Sequence, residues 1–258
     1  MRRIYAVLVA GIAVSSMAMS TPATGAPAPA VVHAVRDPGA STPKWPGPTS
    51  DNWSGYAGVT SGSNSVTYTS ARWRVPSVAA KTGYSSAWVG VDGYHNGALI
   101  QTGTEQDYVK KKLIYRAWWE ILPAAETVIP SVTVAPGDLM QGTIENISGS
   151  SWRITLANLS NGQSFTTTQS YSGPGTSAEW ILEAPTGPKG VLKLARYSTT
   201  QFSNITLGLN GGTPASLALV YPGEAIAMFK GNKQISTPSK PTGNSFNVAY
   251  GKKQPAAP

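Results

Sequence analysis

Between residues 51 and 250 no stretch combines helical periodicity with capping residues. Short runs rich in Val, Ile, Thr, Tyr and Trp recur instead, each bounded by Gly, Pro or Asn. They fall at 56–60, 65–75, 85–92, 98–103, 113–122, 130–134, 139–146, 151–159, 163–169, 178–183, 202–209, 216–221, 225–230 and 244–250. About a dozen short strands without helices must bury their faces against one another, which predicts an all-β antiparallel sandwich or jelly roll. Ser160-Asn161-Gly162 separates two of the runs and predicts a hairpin, because Asn and Gly tolerate positive φ.

Composition narrows the chemistry. Only 12% of the 258 residues are charged, about half the usual share, so Ser, Thr, Asn, Gly and Gln supply the surface. With 8 Trp and 11 Tyr the chain is too aromatic for a disordered protein. It has no Cys, which excludes thiolate metal sites, disulfide scaffolds and cysteine nucleophiles. The net charge of +8 is diffuse: the one basic run, Lys110-Lys111-Lys112, sits where a hairpin turn is expected. No nucleic-acid partner is therefore assigned.

Residues 1–30 read as a secretory signal. Arg2 and Arg3 precede an apolar run from Ile4 to Val14, and small-residue cleavage sites follow at Ala18 and at Ala28-Pro29-Ala30. The run is too short to span a membrane, so the mature chain is expected outside the cell and free of membrane. Residues 31–50, rich in Pro, Ala, Ser and Thr, read as a linker or short pro-segment with little to bury. A catalytic β-sandwich domain is expected over 51–250, and 251–258 as a flexible tail.

Alternation along the strands separates two faces. Tyr115, Ala117, Trp119 and Ile121 share one side of their strand, opposite Arg116, Trp118 and Glu120. Ala87, Val89 and Val91 oppose Ser86, Trp88, Gly90 and Asp92, while Ala178, Trp180 and Leu182 oppose Glu179, Ile181 and Glu183. Each strand thus offers one apolar face to a core and one face mixing carboxylates with Trp or Ile. The second composition is that of a lined groove.

Of two histidines, His33 falls in the expected linker and His95 in the turn-like Gly93-Tyr94-His95-Asn96-Gly97, so neither suits a catalytic triad. One imidazole in the folded domain and no Cys make a metal site improbable, and no cofactor is expected. Carboxylate chemistry remains. Glu120, Glu179 and Glu183 lie in aromatic strands, where desolvation raises a carboxyl pKa and suits acid–base work in acidic medium.

Seven segments, in order, resemble the glutamic peptidases (eqolisins): Asn52-Trp53-Ser54-Gly55-Tyr56, Trp73-Arg74-Val75-Pro76, Trp88-Val89-Gly90-Val91-Asp92-Gly93, Ile100-Gln101-Thr102-Gly103, Tyr115-Arg116-Ala117-Trp118-Trp119-Glu120, Pro136-Gly137-Asp138 and Ala178-Glu179-Trp180-Ile181-Leu182-Glu183. The resemblance implies a concanavalin A-like sandwich of two roughly seven-stranded sheets and an acid-acting endopeptidase on protein or peptide substrates, expected as a monomer. Its Gln/Glu dyad falls on Gln101 and Glu179. Trp88, Asp92, Trp118 and Glu120 are implied to line the cleft, and Glu183 is counted with them as substrate-binding from its place on the same strand face as Glu179. Arg116 stands where an acidic residue is common in relatives.

Two other readings compete. A jelly-roll glycoside hydrolase needs carboxyls roughly 5 to 9.5 Å apart. Glu179 and Glu183, four residues along one strand, lie about 13 Å apart, which leaves Glu120 with Glu179. A non-catalytic carbohydrate-binding module accounts for the Trp content but assigns Gln101 and Glu179 no task.

Overall fold

The computed structural model describes residues 31–42, 44–60 and 65–258, so the signal expected over 1–30 lies outside the described residues. In chain order the strands are β1 (Thr49–Ser50), β2 (Trp53–Val59), β3 (Val66–Arg74), β4 (Ser86–Val91), β5 (Ile100–Val109), β6 (Lys112–Ile121), β7 (Thr127–Val128), β8 (Leu139–Ser148) and β9 (Ser151–Asn158). There follow β10 (Gln163–Ser170), β11 (Ser177–Glu183), β12 (Thr186–Gly187), β13 (Gly190–Val191), β14 (Thr200–Leu209), β15 (Ala215–Ser216), β16 (Ala225–Lys230), β17 (Lys233–Pro238) and β18 (Phe246–Tyr250). No helix occurs among the described residues.

Hydrogen bonding runs in the order β10-β9-β8-β3-β14-β18-β17-β16-β2-β11-β4-β5-β6-β7. The path turns over at β16, which pairs with β17 on one side and β2 on the other. The result is two layers face to face, antiparallel throughout except for β1 alongside β16. The expected two-sheet sandwich is thus realised as one ladder folded upon itself.

Alternation decides what lies between the layers. Ala87, Val89, Val91, Ala117, Ala178, Trp180 and Leu182 all enter the main core, where they meet Trp73, Met140, Ile144, Ile154, Leu156 and Phe202 of the opposite layer. Turn chemistry fixes the hairpins. Gly162, at φ 77, closes β9 onto β10. Lys110 and Lys111, at φ 50 and 63, turn β5 into β6. The Lys run is a solvated turn, as its composition indicates.

Several segments differ from expectation. Residues 130–134 form no strand, their place at the sheet edge being taken by Thr127–Val128. Lys233–Pro238, whose alternation is weak, is a strand between β16 and β18. The last residues lie back on the sandwich: Asn247 donates to the Ala256 carbonyl at 2.9 Å and Gln254 to that of Pro238 at 3.2 Å. The largest difference concerns 31–50. Val31, His33, Trp45, Thr49 and Ser50 are buried, so this stretch has much to bury, and it buries it against the sheet described next.

Candidate active site

Register aligns the outward face of β11, β4, β5 and β6 into rows. Glu179, Gly90, Gln101 and Glu120 are consecutive partners across the four strands. One step along, Ile181, Trp88, Gly103 and Trp118 form the next row, and beyond it come Glu183, Ser86, Glu105 and Arg116. Glu179, Gln101, Glu120, Trp88, Trp118, Glu183 and Arg116 fall in these rows, whereas Asp92 lies past the last residue of β4, at φ 71, and outside them.

Two glycines on this face have little or no room for a side chain. At Gly90 a Cβ would stand 3.0 Å from the Trp88 ring, 3.1 Å from the Ile100 carbonyl oxygen and 3.2 Å from the Gln101 Cβ. Gly90 thus stands without a side chain between Gln101 and Glu179 in the row, and their Cα atoms lie about 10 Å apart across two strand spacings. At Gly103 a Cβ would meet the Ala87 carbonyl and Trp88 Cβ, both at 2.5 Å, so the two flanking indoles require glycine. Glu120 and Glu179 are three strand spacings apart, about 14 Å between Cα atoms. Gln101 stands between the two in the row, and its amide holds Glu120.

The tryptophans are braced through their ring nitrogens. Trp88 Nε1 donates to Glu183 Oε2 at 2.8 Å and Trp118 Nε1 to Ser86 Oγ at 3.1 Å. Trp53 packs edge-on against Trp88, with centroids 4.9 Å apart. With Ala57, Tyr94, Leu99, Ile181 and Ile226 these rings form a second apolar cluster, separate from the inter-layer core.

Residues 31–37 lie as a strap along this face. Val32 pairs with Thr186, just past the Glu183 end of β11, and Arg36 N–H donates to Gly93, past the opposite end of β4. Between these anchors, Trp53 Nε1 donates to the Ala34 carbonyl at 3.0 Å and Asn52 Nδ2 to that of Val35 at 3.0 Å. Gln101 Nε2 donates to the His33 carbonyl at 2.7 Å and to Glu120 Oε2 at 2.8 Å. His33 N–H donates to the same Glu120 oxygen at 3.1 Å. These acceptors fix the Gln101 amide orientation and leave its Oε1 without a hydrogen bond among the described residues.

The His33 ring is fully buried and stacks on Trp118, centroids 3.7 Å apart at 10°. Its Nδ1 lies 3.2 Å from Glu183 Oε2 and its Nε2 3.0 Å from Glu126 Oε2. His33 is therefore no linker residue, and His95 is not the one imidazole of the folded part. His95 itself is exposed in its turn. Burial alone lowers the His33 pKa, but the hydrogen bonds and charges of Glu126 and Glu183 outweigh it and hold the ring well above its ordinary range.

Burial pushes the carboxyls up. It raises Glu120 to about 8 against the opposing charge of His33. Glu105 rises through burial and the neighbouring Glu126 and Asp107 charges, and Glu183 rises through burial. Burial also acts on Glu126, yet the His33 hydrogen bond with the His33 and Arg116 charges brings it below its usual value. Glu179 is held well up, first by burial and then by the Asp92 charge. The adjacent Ser177 hydroxyl opposes this without a well-formed hydrogen bond to either Glu179 oxygen.

Asp92 lies at the end of the face but is fully engaged. Its oxygens accept from Tyr171 Oη at 2.7 Å, Thr176 N at 2.8 Å, Gly175 N at 2.9 Å and Asn96 Nδ2 at 3.0 Å. It ties two loops to the end of β4 and acts on Glu179 through charge.

Arg116 binds Glu105 through Nε at 2.6 Å and Glu126 through Nη2 at 3.3 Å. His33, Glu105 and Glu126 present ligand atoms within 4.8 Å of one another. With the guanidinium already on both carboxylates, that set is arranged for a cationic side chain rather than a divalent ion. Sequence reasoning missed Glu105 and Glu126, although Glu105 shares alternation with Gln101.

A sequence profile of the peptidase A4 family matches residues 51–250. The chain is 30% identical over 228 residues, 78% of each sequence, to aspergillopepsin-2 of Aspergillus niger. Among solved structures, scytalido-glutamic peptidase with a transition-state-analogue inhibitor superposes at a TM-score of 0.68 and 25% identity, covering 78% of this chain and 98% of that one. SCP-B, an eqolisin in complex with the tripeptide Ala-Ile-His, superposes at 0.63 and 25% identity with the same coverage.

Proposed function

Because the chain belongs to the peptidase A4 family, and is thereby a glutamic endopeptidase, we propose that Glu179 and Gln101 carry out its reaction by direct attack of water on the peptide bond. The observation that carries this reading is the row Glu179–Gly90–Gln101, with a peptide carbonyl already on the Gln101 amide. Ionised Glu179 takes a proton from water in the gap over Gly90, and the hydroxide adds to the carbonyl carbon. The developing oxyanion takes the Gln101 N–H bond that His33 O accepts in the strap. One such donor is worth roughly 3 kcal/mol. Glu179 then passes its proton to the leaving nitrogen as the C–N bond breaks. Glu120 holds the other Gln101 N–H, and Trp88 and Trp118 wall the groove.

A base must be ionised, and Glu179 is too deeply buried for that in acid. We infer that residues 31–50 are a pro-segment whose departure readmits water and brings Glu179 down. The signal reading of 1–30 makes the enzyme a secreted one acting in acidic surroundings on protein or peptide substrates. The tripeptide held by SCP-B supports a peptide in this groove.

The test is hydrolysis of denatured casein at about pH 4 by the chain and its Glu179→Gln and Gln101→Ala variants. Glu179→Gln should be inactive and Gln101→Ala slower by about 10²–10³, with unchanged circular dichroism. Full activity in either variant overturns the reading. Clearing of polysaccharide without casein cleavage would favour the sugar hydrolase.

A further inference from the structure

We propose that the pocket beneath His33 is a specificity site for a protonated histidine side chain of the substrate, at the residue whose carbonyl Gln101 binds. This rests on the reading of Gln101 given above. His33 is the chain's own occupant of the site.

The pocket recognises shape and charge separately. Shape comes from Trp118, whose indole lies parallel to the imidazole at 3.7 Å, a contact that needs a flat group of this size. Charge comes from acceptors at both ring nitrogens, Glu183 on Nδ1 and Glu126 on Nε2, with Glu105 Oε1 at 3.9 Å behind. A neutral imidazole has one N–H and turns a lone pair toward one of these oxygens, whereas imidazolium donates to both. The raised His33 pKa agrees with that state.

The walls are fixed before a substrate arrives. Arg116 ties Glu105 to Glu126, and Trp88 Nε1 ties Glu183. Main-chain bonds fix the occupant on both sides, His33 N–H to Glu120 and His33 O from Gln101. A leucine there would desolvate Glu126 and Glu183 without giving either a donor. A lysine would bring a point charge and no ring. The chain has only 12 Asp and Glu in all, and Glu105, Glu120, Glu126 and Glu183 surround this one ring.

The test measures binding, so it does not depend on turnover. In the full chain with residues 31–37 replaced by a Gly-Ser segment of the same length, to free the face of the strap and vacate the pocket, and with Glu179→Gln, to prevent cleavage, calorimetry at about pH 5 compares two hexapeptides. One is Val-Val-His-Ala-Val-Arg, copying residues 31–36, and the other carries Leu in place of His. The His peptide should bind more tightly by about tenfold or more. Adding Glu126→Gln, or in a second chain Glu183→Gln, should bring the ratio toward one. Equal affinities, absence of binding by both peptides, or a ratio unmoved by both added substitutions would overturn the proposal. Failure of the unmodified chain to cleave casein would instead defeat the Gln101–Glu179 assignment, and the binding ratio would still stand or fall by itself.

Discussion

Gln101 and His33, 68 residues apart in sequence, are joined by a 2.7 Å hydrogen bond from the Gln101 amide to the His33 carbonyl. Glu120 completes a ring by accepting from both the Gln101 amide and the His33 N–H. The strap thus presents a peptide unit to Gln101 and must leave before another can bind there. Its grip depends on the imidazole, since charge-assisted hydrogen bonds contribute about 1.5–3 kcal/mol each and ring stacking about 1 kcal/mol. His33→Ala should therefore shorten the lag before casein hydrolysis begins on acidification, read from progress curves against the unmodified chain. An unchanged lag would mean that the strap does not limit access.

Gly90 is expected to behave differently from Gly103, although each faces the groove. An alanine methyl at 90 meets side-chain carbons of Trp88 and Gln101 at 3.0 and 3.2 Å, together with the Ile100 carbonyl oxygen at 3.1 Å. Small shifts accommodate it at a cost of about 1–3 kcal/mol, but the shift moves Gln101 and fills the gap toward Glu179. Gly90→Ala should fold and lose about 10²-fold in kcat. At 103 the methyl would stand 2.5 Å from backbone and Trp88 Cβ, so Gly103→Ala should fail to fold. Thermal melts and kcat measured together check both, and a fully active Gly90→Ala would refute the role given to the gap.

Alternation made the two faces legible. Ala87, Val89, Val91, Ala117, Ala178, Trp180 and Leu182 follow it into the core because each strand has one face against the other layer. Glu105 was readable by the same rule, two residues beyond Gly103, and its burial follows from the face it shares with Gln101. Inter-strand register was not readable from periodicity: Gln101 and Glu179 fall into one row through β4, which pairs with both their strands. Alternation extends to Val91 only: Asp92, at φ 71, lies beyond β4, and its donors Tyr171, Gly175 and Thr176 come from a distant loop that periodicity cannot place. Glu126 lies outside any strand, in the connection between β6 and β7. The strap was hidden for another reason: its composition suits a linker, and His33 is buried only because a groove built elsewhere receives it.

Stability should be greatest in acid. Glu120, raised to about 8, and Glu105, Glu179 and Glu183, also raised by burial, bind protons more tightly folded than unfolded. His33, raised by Glu126 and Glu183, does the same. Such groups give their full contribution below the unfolded value and lose it as pH climbs through the folded one. Glu126, lowered, works in the opposite direction and contributes above its unfolded value. These five raised groups, together with Asp107, raised by burial to about 7, against one lowered predict a melting temperature that falls steadily between about pH 5 and 8. A melting temperature that instead rises over this interval would show that these carboxyls are hydrated in solution.

Arg116 carries a prediction whose size changes with pH. Its guanidinium reaches Glu105 and Glu126, and its side chain is only 24% exposed while that of Glu105 is fully buried. Removing one partner of a buried pair leaves the other charge uncompensated, which costs about 3 kcal/mol. Glu105 has an escape, because it can take up a proton and become neutral. Well below its folded value of about 8 the Glu105 carboxyl is already protonated, so it leaves no charge behind when the guanidinium goes; above that value it is ionised with Arg116 beside it. Glu126, lowered, is charged on both sides of that value and does not distinguish them. Arg116→Gln should therefore cost about 3 kcal/mol near about pH 9 and less near about pH 6, measured by urea unfolding at both. A penalty of equal size at the two values would locate the contribution of Arg116 in the packing of its aliphatic stem, not in its charge.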